Sequence, residues 1–310
     1  MIQVRDLRKN FGDVKAVAGV SFEVGQGEVF GLLGPNGAGK TTTISILSTL
    51  LPADGGSARV CGHDVAAESH AVRRRIGVVP QELAVYEELT AAQNLDVFGR
   101  LYGLSGDGLK RRVGELLELA ELSEHANRPV KGFSGGMKRR LNIMVGLVHA
   151  PDVLFLDEPT VGIDAQARTR ILDLIGQMNR DGLTVLYTTH YLEEAEHLCD
   201  RIGVIDHGEL VALGSKEELI GQIGEQDTVR VAAPPALWEE LLQAAASWED
   251  VTAAGIHRGK VQFQCLDGAS LLPLLGRWLA ERGLGLHQLE VIRPDLESLY
   301  LKITGRALRE

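Results

Sequence analysis

The chain has 310 residues, of which 45% are hydrophobic, 24% charged and 5% aromatic, and this composition predicts a globular protein of about two domains. Its 42 acidic and 32 basic residues give a net charge of −10, which argues against a nucleic-acid partner because phosphate backbones bind clustered lysine and arginine. The three cysteines lie far apart and offer neither a disulfide framework nor a metal-binding CxxC pair.

No transmembrane span is predicted. The most apolar stretch, 143–156, is interrupted by His149, Pro151 and Asp152 and falls short of the roughly 18–20 apolar residues that a membrane helix needs. The first ten residues, MIQVRDLRKN, contain no apolar segment of the secretory type. We therefore expect any role at a membrane to require a separate partner.

The hydrophobic pattern of the first 220 residues alternates between strand-like and helix-like segments. Strands are predicted at 2–7, 20–24, 28–33, 76–80, 153–157, 184–189 and 201–206, and helices at 41–51 and near 165–180. The segment 85–148 is helical in pattern throughout and predicts a helical subdomain. Strands that alternate with helices favour an α/β architecture.

A second domain is predicted at 223–310, after a first domain at 1–222. Its predicted elements are a strand at 228–233, a helix at 237–246, strands at 251–257 and 260–266, a helix at 271–282, a strand at 284–291 and a helix at 295–304. This β-α-β-β-α-β-α order predicts a small α+β domain.

Residues 34–41, GPNGAGKT, fit the phosphate-loop pattern G-x-x-x-x-G-K-[ST], with a predicted strand before them and a predicted helix after them. Glycines remove Cβ atoms that would keep phosphate oxygens from backbone N–H groups. Lys40 is expected to reach the β- and γ-phosphates, and the Thr41 hydroxyl to bind Mg²⁺. The context disfavours the alternative of a simple glycine-rich turn. The predicted nucleotide-binding residues here are Gly34, Pro35, Asn36, Gly37, Ala38, Gly39, Lys40, Thr41 and Thr42.

The apolar run 153–156 ends in Asp157 and Glu158. A buried parallel strand delivers such carboxylates beside the phosphate loop. Asp157 is predicted to orient Mg²⁺, and Glu158 to activate the attacking water as a general base. An acidic turn after a strand is the alternative interpretation, and the phosphate loop favours the catalytic one.

Ser134, Gly135 and Gly136 predict a helix N-cap followed by two glycines that let an anion approach the first helical turn. Together with the phosphate loop and the carboxylate strand, this motif resembles the signature of the ATP-binding cassette (ABC) family, Leu-Ser-Gly-Gly-Gln, with Phe133 for Leu and Met137 for Gln. The aromatic-Ser-Gly-Gly-Met version is similar to export-type ATPases, and residues 294–306 resemble the C-terminal end of daunorubicin/doxorubicin-resistance ATPases.

The resemblance covers about residues 1–220 and implies further site residues. Gln81 matches the glutamine that senses Mg²⁺ and water, and His190 the switch histidine that contacts the γ-phosphate. Asp164 matches the loop aspartate that crosses to a partner subunit, although the proline that usually follows is Ala165 here. Phe11 matches the aromatic residue that stacks on adenine; ordinary packing on a strand edge is its alternative interpretation.

The resemblance implies the ABC ATPase fold, a P-loop NTPase with a mixed sheet and a helical subdomain. It also implies ATP and Mg²⁺ as ligands, a head-to-tail dimer closed by ATP, and a separate integral membrane permease. The implied location is cytoplasmic, peripheral on the inner face of the cell membrane. The leading hypothesis is the ATPase of a drug or antibiotic export system. The alternatives are an importer ATPase, a non-transport ABC ATPase of translation or DNA repair, and a nucleotide-controlled interaction protein.

Overall fold

The computed structural model describes residues 1–222, 226–257, 259–285 and 288–304, and these form two units. The first unit extends to Lys216 and the second begins at Glu217, a few residues before the domain boundary predicted at 222. Each unit has its own sheets and its own buried core. None of the helices in the described part of the chain combines the length and apolar composition that crossing a bilayer requires.

Among the residues described, the first unit contains ten strands and seven α-helices, and an eighth helix begins at Lys216 and continues into the second unit. The strands are β1 (Ile2–Phe11), β2 (Val14–Val24), β3 (Val29–Leu33), β4 (Gly55–Val60), β5 (His63–Asp64), β6 (Ile76–Val79), β7 (Val153–Asp157), β8 (Thr184–Thr189), β9 (Arg201–Asp206) and β10 (Glu209–Gly214). The helices are α1 (Lys40–Leu47), α2 (Ser69–Arg75), α3 (Ala91–Leu101), α4 (Gly106–Leu119), α5 (Gly135–Leu147), α6 (Ala165–Arg180), α7 (Leu192–Leu198) and α8 (Lys216–Gly221).

A six-stranded sheet in the order β10-β9-β3-β8-β7-β6 lies at the centre of the first unit. Strands β9, β3, β8, β7 and β6 are parallel, and β10 runs antiparallel to β9. Every residue of β3, β7 and β8 is buried, as expected for continuous apolar strands covered on both faces. The carboxyl ends of these three strands therefore meet at one edge, where the phosphate loop, Asp157 and His190 follow them.

A second, antiparallel sheet has the order β2-β1-β4-β5. Strand β1 alternates buried and exposed residues over its first half, so that Ile2 and Val4 face the core. They belong to the same apolar cluster as Ile44 and Ile46 of α1. This packing fixes the helix whose first residue is Lys40.

The segment 85–148, which was predicted to be helical, contains α3, α4 and α5. Helix α3 begins at a capping box in which Thr90 accepts from the Gln93 backbone and the Gln93 side chain accepts from Thr90 N–H. Leu95, Leu116 and Leu141, one from each helix, belong to one apolar cluster. The three helices thus share a core, and this core fixes the position of Gly135, where α5 begins.

His149 follows α5 and links the helical subdomain to the central sheet. Its Nε2 donates to the Ile76 carbonyl over 2.9 Å, and its ring stacks on Tyr102 with 3.7 Å between ring centres. Its buried Nδ1 has no hydrogen-bond partner among the residues described. Burial lowers the pKa of His149 below its ordinary value of 6.5, so the unfolded chain binds a proton at higher pH than the folded protein does.

We therefore expect stability to fall as the pH drops below about 6.5 toward the folded-state pKa, by at most about 1.4 kcal/mol per pH unit from this group. Urea denaturation at about pH 7.5 and about pH 5.5 measures the effect. His149→Gln keeps an N–H donor for Ile76 but does not titrate, so it should lose less unfolding free energy over this interval. Equal losses in the two proteins would contradict the assignment to His149.

The second unit is a four-stranded antiparallel sheet covered by helices. Its elements are β11 (Asp227–Val231), α9 (Trp238–Ala245), β12 (Val251–His257), β13 (Lys260–Cys265), α10 (Gly268–Ala280), β14 (Leu289–Ile292) and α11 (Leu296–Thr304), with strand order β12-β13-β11-β14. The predicted β-α-β-β-α-β-α order is confirmed. The strand predicted at 284–291 begins only at Leu289, and residues 286 and 287 lie outside the described part of the chain.

Candidate functional site

The phosphate loop, 34–39, connects β3 to α1 at the carboxyl edge of the central sheet. Gly37 and Gly39 have positive φ angles of 81° and 106°, which side chains rarely adopt. A Cβ at Gly34 would clash with the Ile205 carbonyl, and one at Gly39 would clash with the Ala16 carbonyl. Packing within the chain therefore requires glycine at Gly34 and Gly39 even without nucleotide. The sequence prediction had explained these glycines only by the close approach of phosphate.

Lys40 folds back over this loop. Its Nζ donates to the carbonyl oxygens of Gly34 and Pro35 over 2.7 and 3.0 Å and forms an ion pair with Glu158 Oε1 at 2.9 Å. The Lys40 and Glu158 side chains are only 4% and 6% exposed. The first turn of α1 also leaves backbone N–H groups without helical partners, and its positive dipole end favours a bound anion.

The two predicted carboxylates lie where β7 ends. Asp157 Oδ1 accepts a hydrogen bond from the Thr188 hydroxyl over 2.7 Å. Glu158 has a φ of 45°, an uncommon backbone conformation for a residue with a side chain, and its N–H donates to the Thr188 hydroxyl over 3.0 Å. Glu158 Oε2 lies 3.1 Å from His190 Nδ1. The carboxylate of Glu158 therefore bridges Lys40 and His190, which were matched to the site by two separate motifs.

A cavity of about 290 Å³ opens beside these groups. It is lined by Ala16, Asn36, Gly37, Gly39, Lys40, Thr41, Thr42, Gln81 and Glu158. The structure thus brings Gln81, which follows β6, to the same space as the phosphate loop. The Thr41 hydroxyl, the Gln81 amide oxygen and the Asp157 carboxylate are oxygen donors of the kind that Mg²⁺ prefers. Among the residues described, no cluster of three or more His, Cys, Asp or Glu side chains forms a metal site of the protein's own.

The remaining predicted residues do not line this cavity. Ser134 caps α5 by accepting from Met137 N–H, and Asp164 caps α6 by accepting from Ala167 N–H over 2.9 Å. The two caps are neighbours, because Ile163 lies against Gly135 and Ala167 against Gly136. Phe11, at the end of β1, is 51% exposed, and the Lys9 Nζ lies 5.7 Å from the centre of its ring.

Comparison with known proteins gives a consistent result. The ABC transporter family model matches residues 17–161. The linearmycin resistance ATP-binding protein LnrL of Bacillus subtilis is 44% identical, and the alignment covers 100% of both chains. The chain belongs to the ABC transporter family. It is an ATP-binding, ATP-hydrolysing cassette, and the fold and family predicted from the sequence are confirmed.

Other relatives of this ABC ATPase are also matched along most of their length. The daunorubicin resistance ATP-binding protein DrrA3 of Streptomyces coeruleorubidus is 41% identical, with 98% of this chain and 96% of the relative covered. The Nod factor export ATP-binding protein I of Ralstonia nicotianae is 40% identical, with coverage of 100% and 95%. The dimeric ATP-binding cassette MJ0796 bound to ADP and Pi superimposes with a TM-score of 0.63 at 27% identity, covering 69% of this chain and 98% of that structure.

The structure of this ABC ATPase accounts for one departure from the family motifs and shows two functional-site contacts that the sequence prediction missed. Ala165, in place of the usual proline, is the first residue of α6, and the Asp164 side-chain cap fixes the junction of loop and helix. Arg139, which the sequence prediction missed, is 5% exposed and donates to the carbonyl oxygens of Gln81 and Pro80 over 2.8 and 3.2 Å. Asn142, one turn later, accepts from Ala84 N–H. Both are polar residues within a largely apolar helix, and this pattern in the sequence could have identified them.

The signature glycines of the ABC ATPase are not equivalent. A Cβ at Gly136 would lie 2.7 Å from the Ala167 Cβ, whereas one at Gly135 would meet only Ile163 at 3.7 Å, an ordinary contact. We expect Gly136→Ala to lower the free energy of unfolding by about 1–3 kcal/mol, because helix α5 must shift away from α6. Gly135→Ala, in the same helical turn, is the matched control and should be nearly neutral.

Urea denaturation of the nucleotide-free protein measures both variants. If Gly136→Ala is as stable as Gly135→Ala, the close approach of α5 and α6 does not constrain this position.

Proposed function

We propose that this chain is the ATP-hydrolysing subunit of an export system in which a separate membrane permease carries a drug, an antibiotic or a similar compound. The observation that carries the proposal is the contact of Glu158 with both Lys40 and His190 beside the cavity. A cassette that hydrolyses ATP needs these groups, whereas one that only binds ATP does not. The full-length similarity to resistance and export ATP-binding proteins supports the export assignment.

In this proposal the residues beside the cavity divide the work. Lys40 and the N–H groups of the loop and the first turn of α1 hold the phosphates, and Phe11 stacks on the adenine ring. Glu158 accepts a proton from the attacking water, and His190 contacts the γ-phosphate and orients that water with Glu158. Thr41, Gln81 and Asp157 would hold Mg²⁺, which neutralises charge that develops on the phosphate oxygens. The strained backbone at Glu158 is supported by Thr188 and fixes the carboxylate in advance of substrate.

The signature residues require a second copy of the chain in this proposal. Ser134, Gly135 and Gly136 do not line the cavity that holds Lys40, and neither does Asp164. A head-to-tail dimer would place these residues of one protomer on the γ-phosphate held by the other. ATP then adds charge-assisted contacts that exist only in the closed dimer, and hydrolysis removes them.

The location and domain roles follow from the same proposal. The chain would act in the cytoplasm, on the inner face of the membrane, with the loop after Gln81 passing its movement to the permease. Residues 1–222 would form the ATPase domain and 223–310 an accessory or regulatory domain. The net charge of −10 disfavours a nucleic-acid partner.

The test is isolation of the attached permease followed by transport. Tagged Glu158→Gln protein is purified from solubilised membranes with Mg-ATP, and the bound integral membrane protein is identified and reconstituted with the wild-type chain in vesicles. We expect ATP-dependent movement of a resistance-type compound out of the ATP-containing compartment. Movement toward that compartment would instead show an importer, and a stable partner without membrane spans would favour a non-transport ATPase.

A further inference from the structure

A buried carboxylate outside the predicted site connects two of its parts. Glu194, on α7, is 1% exposed. Its Oε1 accepts from the Thr160 hydroxyl over 2.6 Å, and its Oε2 accepts from Tyr187 and Thr189 over 2.8 and 2.6 Å. Three hydroxyl donors on one buried carboxylate satisfy it well, since a charged acceptor strengthens each hydrogen bond.

One side of this cluster holds the backbone at His190. The Thr189 hydroxyl donates to Glu194 and at the same time accepts from Tyr191 N–H over 2.9 Å. His190 lies between these two residues, so the bonds on either side of it fix the turn that follows β8. The orientation that brings His190 Nδ1 to 3.1 Å from Glu158 therefore depends on a chain of contacts that ends at Glu194.

The other side of the cluster holds the loop that connects Glu158 to Asp164. Thr160 lies in this loop and is fully buried, with its hydroxyl on Glu194. Arg168, one turn into the helix capped by Asp164, has its Nε 3.4 Å from Glu194 Oε1. Its guanidinium lies over the Tyr191 ring at 4.3 Å, which adds a second link between α6 and the His190 turn.

The charges in the cluster favour this arrangement of donors. Burial and then the negative charge of Glu194 raise the pKa of Tyr187 well above its ordinary value, so the phenol keeps its proton and donates it. Arg168 supplies a positive charge next to the carboxylate. The two oxygens of Glu194 accept from all three hydroxyls around it.

We propose that Glu194 is a positioning residue for ATP hydrolysis, which fixes His190 and the 158–164 loop relative to each other. The inference rests on the proposed roles of Glu158 and His190. Glu194 itself does not line the cavity that holds Lys40, so it acts through the groups that it orients.

Glutamine at position 194 keeps the size of the side chain, but only its amide oxygen can accept hydrogen bonds, whereas both carboxylate oxygens of glutamate accept them. Its amide oxygen would remain with Arg168 and Thr160, because an NH₂ group repels the guanidinium. The NH₂ group would then face the Tyr187 and Thr189 hydroxyls, which can no longer donate to it. We expect Glu194→Gln to lower kcat for ATP about tenfold or more, with KM for ATP within about twofold of wild type.

A matched pair at Thr189 separates positioning from simple loss of stability. Thr189→Val keeps the shape but removes the hydroxyl, whereas Thr189→Ser keeps the hydroxyl and loses a buried methyl group. We expect Thr189→Val to lower kcat about as much as Glu194→Gln, and Thr189→Ser to stay within about twofold of wild type even where its melting temperature falls. If Glu194→Gln does not fold, this pair alone decides the question.

Steady-state ATPase assays on the purified chain, with Glu158→Gln alongside, give the outcome. The inference is overturned if Glu194→Gln and Thr189→Val keep a kcat within about twofold of wild type, or if Thr189→Ser falls as far as Thr189→Val. If Glu158→Gln is inactive in the same assay while Glu194→Gln is fully active, only the role of Glu194 fails. If Glu158→Gln turns over ATP normally, the proposed role of Glu158 fails as well.

Discussion

Replacement of Glu158 by glutamine is expected to lower ATP turnover by about 100- to 10,000-fold, the range for loss of a general base. The amide keeps the shape of the side chain but cannot accept a proton from water. It also leaves Lys40 with its two carbonyl partners, so the phosphate loop should stay intact and still bind nucleotide. The variant should therefore accumulate as an ATP-bound dimer, which steady-state ATPase assays and size-exclusion chromatography with Mg-ATP measure.

Glu193→Gln is a suitable control for this experiment. Glu193 is an exposed carboxylate on α7, four residues after the end of β8, and its change should leave turnover and oligomeric state unaffected. A Glu158→Gln protein that stays monomeric at saturating Mg-ATP, alone and with its permease, would contradict the proposed dimer.

Replacement of Lys40 by methionine should have the second-largest effect, on nucleotide affinity. The charged Nζ is the only lysine or arginine group that lines the cavity among the residues described, and its loss should weaken ATP binding by about 100-fold. It also leaves the Glu158 carboxylate buried without its lysine partner. Because removing one member of a buried ion pair costs about 3–5 kcal/mol, the nucleotide-free variant should unfold at lower urea concentration.

Calorimetric titration with ATP and urea denaturation measure the two effects. The Lys40→Met/Glu158→Gln double variant removes both charges and should lose less stability than the sum of the single changes. Lys110→Met, at an exposed position on helix α4, controls for loss of a surface lysine and should bind ATP normally. Additive losses in the double variant would show that the 2.9 Å ion pair contributes nothing to the nucleotide-free fold.

The strands and motifs that meet at the carboxyl edge of the sheet could be predicted from the sequence because their signals are local. Strands 153–157, 184–189 and 201–206 coincide with β7, β8 and β9, since buried parallel strands are continuous apolar runs bounded by polar residues. Strands β4, β5 and β10 were missed. Strand β4 contains two glycines and a serine, and its pairing with β1 compensates for a pattern that does not favour a strand.

The contacts that hold the site could not be predicted in the same way. The bonds from Arg139 to the Gln81 loop and from Glu194 to Thr160 join residues 58 and 34 positions apart in the chain. Likewise, the requirement for glycine at Gly34 comes from Ile205 on β9. These contacts cannot be predicted from a single sequence, because they depend on which strands become neighbours in the sheet.

The close approach of Gly136 and Ala167 ties two stretches of sequence that belong to different motifs. A side chain at position 136 fits only if the residue at position 167 is smaller than alanine, so a change at 136 depends on the residue at 167. An alanine at position 136 becomes acceptable once position 167 is glycine. Replacing Ala167 first avoids the clash and costs up to about 1 kcal/mol of helix propensity. Lineages of such cassettes are therefore expected to reach alternative pairs by shrinking the α6 residue first.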